Sequence, residues 1–235
     1  LCDGTTITLK EFVGKDDNDG KISATGSLLL APEENFPYSG EALLESCHLI
    51  NLDEMKSIFS GKLSLKGNSR EAFLNGKIVS DKATFSTPKK SASLSDYVEI
   101  IYINQAHEEL SPTLIKYDPP LFIPLNLDIL LEIPNTLSIQ DESLKSIWKG
   151  VIKIKGNSNA PALHGEIKLT EGEYLLNGKE FDLAHGTILF AGDAAKKTTL
   201  HVTAVREINN IRVEIVLKGK VSDPTIVLRS TPSLS

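Results

Sequence analysis

Cysteine, aromatic side chains, long apolar runs and clustered positive charge are all scarce here, and each scarcity removes a class of protein. Two cysteines, Cys2 and Cys47, are too few for a disulfide scaffold. Pairing in an oxidising compartment and two free thiols both stay open, so cysteine usage assigns no compartment. Aromatics make up 6% of the chain, which leaves the apolar mass to Ile, Leu and Val. Lys and Arg number 25 against 31 acidic residues and are scattered singly. Nucleic-acid binders gather their cations on one face, so that class is excluded, as is a polybasic patch for anionic lipid headgroups. No run reaches the roughly 18 apolar residues of a membrane helix. The longest candidate, LFIPLNLDILLEI at 121–133, is broken by Pro124, Asp128 and Glu132. No signal peptide is visible, the chain opens on LCDGT, and its one methionine is Met55. It reads as a piece of a longer protein, with any membrane anchor outside it.

Assembled chemistry is missing too. The run KDDNDGK at 15–21 invites a calcium loop. With Gly20 at the loop's invariant glycine, however, the first ligand position is Lys15 and the position that needs Glu is Gly26. A solvated hairpin turn is expected instead. His48, His107, His164, His185 and His201 show no zinc spacing. His164 and His185 adjoin glycines and are read as strand-end residues. Cys47 and His48 are sequence neighbours, so in a strand they point to opposite faces and make no catalytic pair. The Glu pairs at 33–34 and 108–109 sit in polar segments, and no nucleophile elbow, P-loop or dinucleotide motif occurs. No enzyme, metal site or cofactor site is expected.

What is present is alternation. IRVEIVL (211–217) places Ile211, Val213, Ile215 and Leu217 on one face and Arg212, Glu214 and Val216 on the other. TLHVTAV (199–205) groups Leu200, Val202 and Ala204, and PLNLDILLEI (124–133) groups Leu125, Leu127, Ile129, Leu131 and Ile133. Period two sustained over such lengths means strands with one apolar and one wet face. Turn signals at NDG 18–20, GNS 67–69 and 156–158, and NG 75–76 and 177–178 separate them. Prolines 32, 37, 88, 112, 119, 120, 134, 161 and 224 are read as lying between or at the start of strands. The stretch EGEYLLNGKEFDLAHGTILFAGD (171–193) is read as short strands cut by glycines.

A shift of 89 positions lays residues 51–78 on 140–167 without a gap. Phe59 falls on Trp148, Gly61 on Gly150, Leu63 and Leu65 on Ile152 and Ile154, and Gly76 and Ile78 on Gly165 and Ile167. A one-residue slip would turn each apolar set to the other face, so the shared register means a shared side. One long strand through 147–155 is therefore expected where LDEMKSIF and SLKSIW might suggest helices. Strand units that continue one another describe an elongated body. The alternative is a duplicated β-sandwich.

From 121 onward the punctuation is specific. Pro161-x-Leu163-x-Gly165 is followed by Gly172-x-Tyr174, Gly178-x-x-Phe181 and Gly186-x-Ile188-x-Phe190-x-Gly192. Gly219-x-Val221-x-x-Pro224 and Ser230-x-Pro232 close the chain. This order resembles the C-terminal domain of the TamB family, the translocation and assembly module proteins, within the AsmA-like group of bridge-like lipid transporters. The resemblance covers 121–235, and the piece is expected to stop short of the family's usual apolar tail.

The resemblance implies an all-β, elongated U-shaped sheet, a β-taco with an apolar interior groove and few or no helices. It also implies a periplasmic segment of an inner-membrane-anchored protein of a Gram-negative envelope, with an Omp85-type (TamA-like) outer-membrane barrel as partner. The expected cargo is phospholipid, its acyl chains in the groove, with a supporting role in outer-membrane protein assembly. The whole of 1–235 is expected to be a single elongated fragment. Independently, a continuous apolar face must be covered by something. The groove candidates are Leu63, Leu65, Leu125, Leu127, Ile129, Leu131, Trp148, Ile152 and Ile154, continuing with Ile167, Leu169, Ile188, Phe190, Leu200, Val202, Val213, Ile215 and Leu217. Two other readings stay in view. One is a scaffold that binds the barrel through sheet edges without carrying lipid, and the other is a passenger-like β-helix adhesin with a sealed core.

Overall fold

A computed structural model describes residues 2–52, 54–86, 123–193 and 197–232. They form one sheet of thirteen strands in chain order, with no strand inserted between sequence neighbours. The strands are β1 (Cys2–Asp3), β2 (Thr6–Lys15), β3 (Lys21–Leu29), β4 (Tyr38–Asn51), β5 (Met55–Gly67) and β6 (Ala72–Ser86). After them come β7 (Leu125–Gln140), β8 (Leu144–Asn157), β9 (Ala160–Leu176) and β10 (Lys179–Asp193). Last are β11 (Thr199–Ile208), β12 (Ile211–Lys220) and β13 (Asp223–Thr231). Among the described residues helical structure is marginal: a 3-10 turn at Pro32–Glu34 and Lys197 in helical conformation. The sheet is consistent with a curved, taco-like form, and because β1 and β13 do not pair it is not closed into a barrel. Pairs are antiparallel except β6–β7, which run parallel. One unbroken sheet overturns the duplicated sandwich, and the antiparallel ladder does not fit the parallel coil of a β-helix.

Cross-strand partners share a face, so the registers trace rungs across the sheet. One rung runs Ile22–Leu44–Gly61–Ile78–Leu131–Ile152–Gly165–Phe190. A second runs Ala42–Leu63–Gly76–Ile129–Ile154–Leu163. A third runs Ile133–Gly150–Ile167–Ile188–Leu200–Gly219. The concave face is therefore apolar along the stacking direction. The convex face carries Lys62–Glu41 at 2.7 Å, Lys77–Glu132 at 2.8 Å and Lys153–Asp128 at 3.6 Å, all cross-strand ion pairs.

The strands bend along a line of register breaks. They fall at Leu44/Cys47 in β4, Ile58/Phe59 in β5, Val79/Ala83 in β6, Ile133/Leu137 in β7 and Leu183/His185 in β10. Each break adds residues to one strand and sharpens its local twist and bend. Aligned over neighbouring strands, they crease the sheet. Pro134 sits inside β7 at this crease, not between strands, because the slipped register asks no ladder hydrogen bond of it.

The sequence repeat is a repeat in space. Gly61 approaches the Lys77 carbonyl as Gly150 approaches that of Glu166, and Gly76 approaches the Lys62 carbonyl as Gly165 approaches that of Val151. Every one of these pairs is related by the same offset. Segment 144–157 is one strand, longer than the expected 147–155, and LDEMKSIF is strand from Met55.

Other expectations fail besides the place of Pro134. The 171–193 stretch is one long hairpin, not short strands, because only Asn177–Gly178 turns the chain. Asn75–Gly76 likewise lies within β6, where Gly76 serves a close backbone approach. His164 and His185 are inside β9 and β10, not at strand ends. On the convex face Val216 is buried, 7% exposed, between its partners Thr203 and Val227, although alternation assigns it to the wet side. Pro88, Pro112, Pro119, Pro120, His107 and the Glu pair at 108–109 lie outside the described residues.

Candidate functional site: an apolar trough

All the groove candidates fall on the concave face by register, but their surroundings differ along it. Ile129, Trp148, Ile152 and Ile167 are buried against one another's neighbours, and Leu65 is exposed. Leu63, Leu125, Leu127, Leu131, Ile154, Leu169, Ile188, Phe190, Leu200, Val202, Val213, Ile215 and Leu217 are half-buried. In the middle of the sheet two clusters touch through shared side chains. Leu44, Cys47, Ile78 and Ile129 form one, and Ile133, Trp148, Ile152 and Ile167 the other, with Leu131 and Ile154 packed against both.

Trp148 anchors the second cluster. Its indole N–H donates to Ser146 Oγ at 2.9 Å, and Ser146 Oγ donates to the Ile139 carbonyl at 3.0 Å. The ring reaches across β9 to β10. A Cβ added at Gly186 would stand 2.8 Å from its Cη2 and 2.7 Å from Leu169 Cβ. That glycine of the 171–193 stretch therefore makes room for the tryptophan. It does not end a strand.

Toward both ends of the sheet the same face opens. Ile7, Leu9 and Phe12 on β2 are 41–49% exposed, and Ile226 and Leu228 on β13 are 66% and 69% exposed. Their partners show that they belong to the trough: Ile226 pairs with Leu217, Leu228 with Ile215, and Leu9 with Gly26. The candidate set omitted these five, although the alternation in PTIVLRS (224–230) carries the signal for Ile226 and Leu228. Also unforeseen are Ser57, Ser80 and Ser146, 1–3% exposed at and beyond the crease; Ser57 Oγ and Ser80 Oγ have no hydrogen-bond partner among the described residues. Two hollows have mixed linings, the second sharing Ile133 and Gly150 with the third rung. One of about 460 Å³ is lined by Asn18, His48, Ser57 and Lys82 among others. The other, of about 560 Å³, flanks Pro134 with Lys149, Glu166 and Lys168.

The acidic run is a hairpin turn with an internal purpose. Asp16 Oδ1 accepts the N–H groups of Asn18 at 2.9 Å and Gly20 at 2.7 Å. Its Oδ2 accepts the His48 N–H at 2.9 Å and lies 3.1 Å from His48 Nδ1. The carboxylate thus closes the β2–β3 turn and ties it to β4. These bonds, the His48 N–H first, hold its pKa far below the ordinary carboxylate range. A depressed carboxylate contributes stability that is present above its unfolded value of about 3.9 and lost as pH falls through the folded value. The Asp16 carboxyl carbon signal should therefore stay unchanged as pH is lowered through about 3.9. Titration there would show that the turn is not docked. Asp16→Ala should speed amide exchange at Gly20 and His48 while leaving β12 unchanged. Cys47 and His48 diverge: Cys47 Sγ is a buried free thiol that donates to the Lys21 carbonyl at 3.1 Å, away from the His48 contact with Asp16. His185 and His201 meet edge to face with centroids 5.6 Å apart.

The chain matches the model of the TamB C-terminal domain over residues 10–235. It is similar to the translocation and assembly module subunit TamB of Haemophilus influenzae, 25% identical over 226 residues. That alignment takes in 92% of this chain and 17% of the relative, so the chain spans about a sixth of that protein's length. The match extends well before residue 121, through the first repeat and the open β2 end of the trough, and with it the chain belongs to the TamB C-terminal domain family.

Proposed function

We propose that the concave face carries phospholipid acyl chains, and that residues 1–235 act as one elongated, non-enzymatic segment of a lipid conduit. The observation that carries this reading is an apolar face continuous over the rungs of β2–β13 that is left exposed at both ends. At about 4.8 Å per strand the stack runs roughly 58 Å. Burying each methylene of an acyl chain on such a face gains about 0.8 kcal/mol. The convex face is mixed, with exposed Leu43, Phe73, Val151 and Leu189 among its lysines and glutamates, and its ion pairs suit an aqueous compartment. The family relation, to a subunit of a translocation and assembly module, supports a periplasmic setting in an inner-membrane-anchored protein and a role in outer-membrane assembly.

The test is lipid extraction and native mass spectrometry of the gently purified chain. Co-purifying phospholipid is expected; a lipid-free protein with water-exposed trough ends would sink the reading. A second reading has its own observation. Among the described residues β13 pairs only with β12, so its far edge, beside exposed Ile226 and Leu228, is open to a further strand. That edge suits a scaffold for an Omp85-type barrel, which a pull-down with the barrel's soluble domains would test.

A further inference from the structure

The concave face is almost free of charge. Among the described residues, its register-paired positions from β2 to β13 are apolar, glycine, proline, tyrosine or small serine and cysteine, with two exceptions. Lys179 stands at the β9–β10 tip, opposite Leu176, and is exposed. Arg206 is inside the body of the face, half-buried, one rung beyond Leu183–Ala204–Ile215 and paired with Val213. Its surroundings are apolar: Ala204 is 4% exposed, and Phe181, on the same face of neighbouring β10, is 6% exposed.

An arginine in such a place should be paired, because leaving a buried cationic donor unsatisfied is costly. One bond is made: Nη1 donates to the Glu180 carbonyl at 2.7 Å. Nε is buried and has no acceptor among the described residues. No carboxylate forms an ion pair with Arg206 among the described residues. Its place along the strand is informative. Strands cross the folded sheet from rim to rim, and Arg206 lies one rung short of the Ile208–Ile211 pair that precedes the Asn209–Asn210 turn. The guanidinium is thus close to a rim, while Ile215, Leu217 and Val202 lie deeper on the same face.

That is the layout an amphiphile requires, with tails along the rungs and an anionic head at the edge. We propose that Arg206 is the headgroup contact of the trough, its guanidinium receiving the phosphate of a lipid whose acyl chains occupy the apolar rungs. A guanidinium fork matches two phosphate oxygens, and Nε is one of the donors such a pair uses. The proposal rests on the lipid reading above and adds a chemical preference to it.

The experiment loads the full chain with dioleoylphosphatidylglycerol or with dioleoylglycerol, which has the same tails and no phosphate, and counts retained lipid by native mass spectrometry. The wild type should favour the phospholipid by about tenfold, the scale of one charge-assisted pair. Arg206→Gln should remove that preference and leave dioleoylglycerol retention unchanged, and Arg206→Lys should restore part of it. Inorganic phosphate in excess should not displace the phospholipid; displacement would make the site one for small anions and overturn the headgroup assignment. Equal retention of the two lipids by the wild type overturns the Arg206 proposal alone, and this comparison decides the matter even where a variant does not fold. Retention of neither lipid overturns the trough reading as well.

Discussion

Gly165→Ala is expected to cost about 3 kcal/mol or more, one of the largest effects a single methyl group can have in this chain. Gly165 has φ +140, a region that L side chains rarely enter. The added Cβ would stand 2.1 Å from the Val151 carbonyl oxygen and 3.1 Å from Ile152 Cα. Both obstacles are backbone, so no rotamer change relieves them. Relief requires β8 and β9 to part at the Val151–Glu166 and Ile152–Gly165 pairs, next to the buried Ile167 and Trp148. Gly178→Ala is the matched control. It lies in the β9–β10 turn at φ +72 with nothing within 4 Å of the new Cβ, so only conformational strain of about 1 kcal/mol is expected. Denaturant midpoints of the two variants separate the terms. Equal losses would mean that β8 and β9 do not approach each other closely at Gly165.

The same glycine shows what the sequence makes legible and what it hides. Its recurrence at the 89-residue offset from Gly76 is visible in the letters, and so is the alternation that assigns Ile152, Ile154, Val213 and Ile215 to one side. Period two survives in the letters because a strand's faces depend only on residue parity. The reason for the glycine is not visible. A glycine at a turn and one admitting a neighbour's carbonyl look alike, so in the letters Asn75–Gly76 and the glycines of 171–193 look like interruptions. The crease is hidden for a related cause. A register break belongs to a pair of strands, and neither Val79–Ala83 nor Ile133–Leu137 announces which partner it will slip against. Pro134 lies at the crease, but in the letters it looks the same as a proline between strands. The parallel β6–β7 pair depends on the whole path of the chain between them, which local pattern cannot reveal. Face membership of the trough was therefore readable, whereas the degree of closure at each position was not. Alternation says which way Ile152 and Leu228 point, and only the curvature of the sheet says that one is covered and the other bare.

That difference divides acidic substitutions in the trough into two outcomes, where the alternation alone treats the positions as equivalent. Ile152 is 8% exposed, packed with Ile133, Trp148 and Ile167. Ile152→Asp would place a carboxylate among them without a donor and should cost about 4 kcal/mol or more, a large part of the 5–15 kcal/mol that holds a domain together. Leu228 points along the same face but is 69% exposed on β13. Leu228→Asp keeps its carboxylate in water, so the cost should be about 0.5–1 kcal/mol. The new charge would nonetheless stand opposite Ile215, on the path acyl chains would take out of the trough, and a hydrated carboxylate repels them. Leu228→Asp should therefore melt close to the wild type and lose most of its bound phospholipid, while Ile152→Asp should lose its fold. Lys153→Gln, on the convex face beside Asp128, exchanges one exposed ion pair for none and should change stability by less than about 0.5 kcal/mol with lipid retained. Thermal melts read beside lipid content distinguish the cases. A folded Ile152→Asp would show that water reaches the middle of the trough. A Leu228→Asp protein that keeps its full lipid complement would show that acyl chains do not travel along β13, and the conduit would then have to end before the last hairpin.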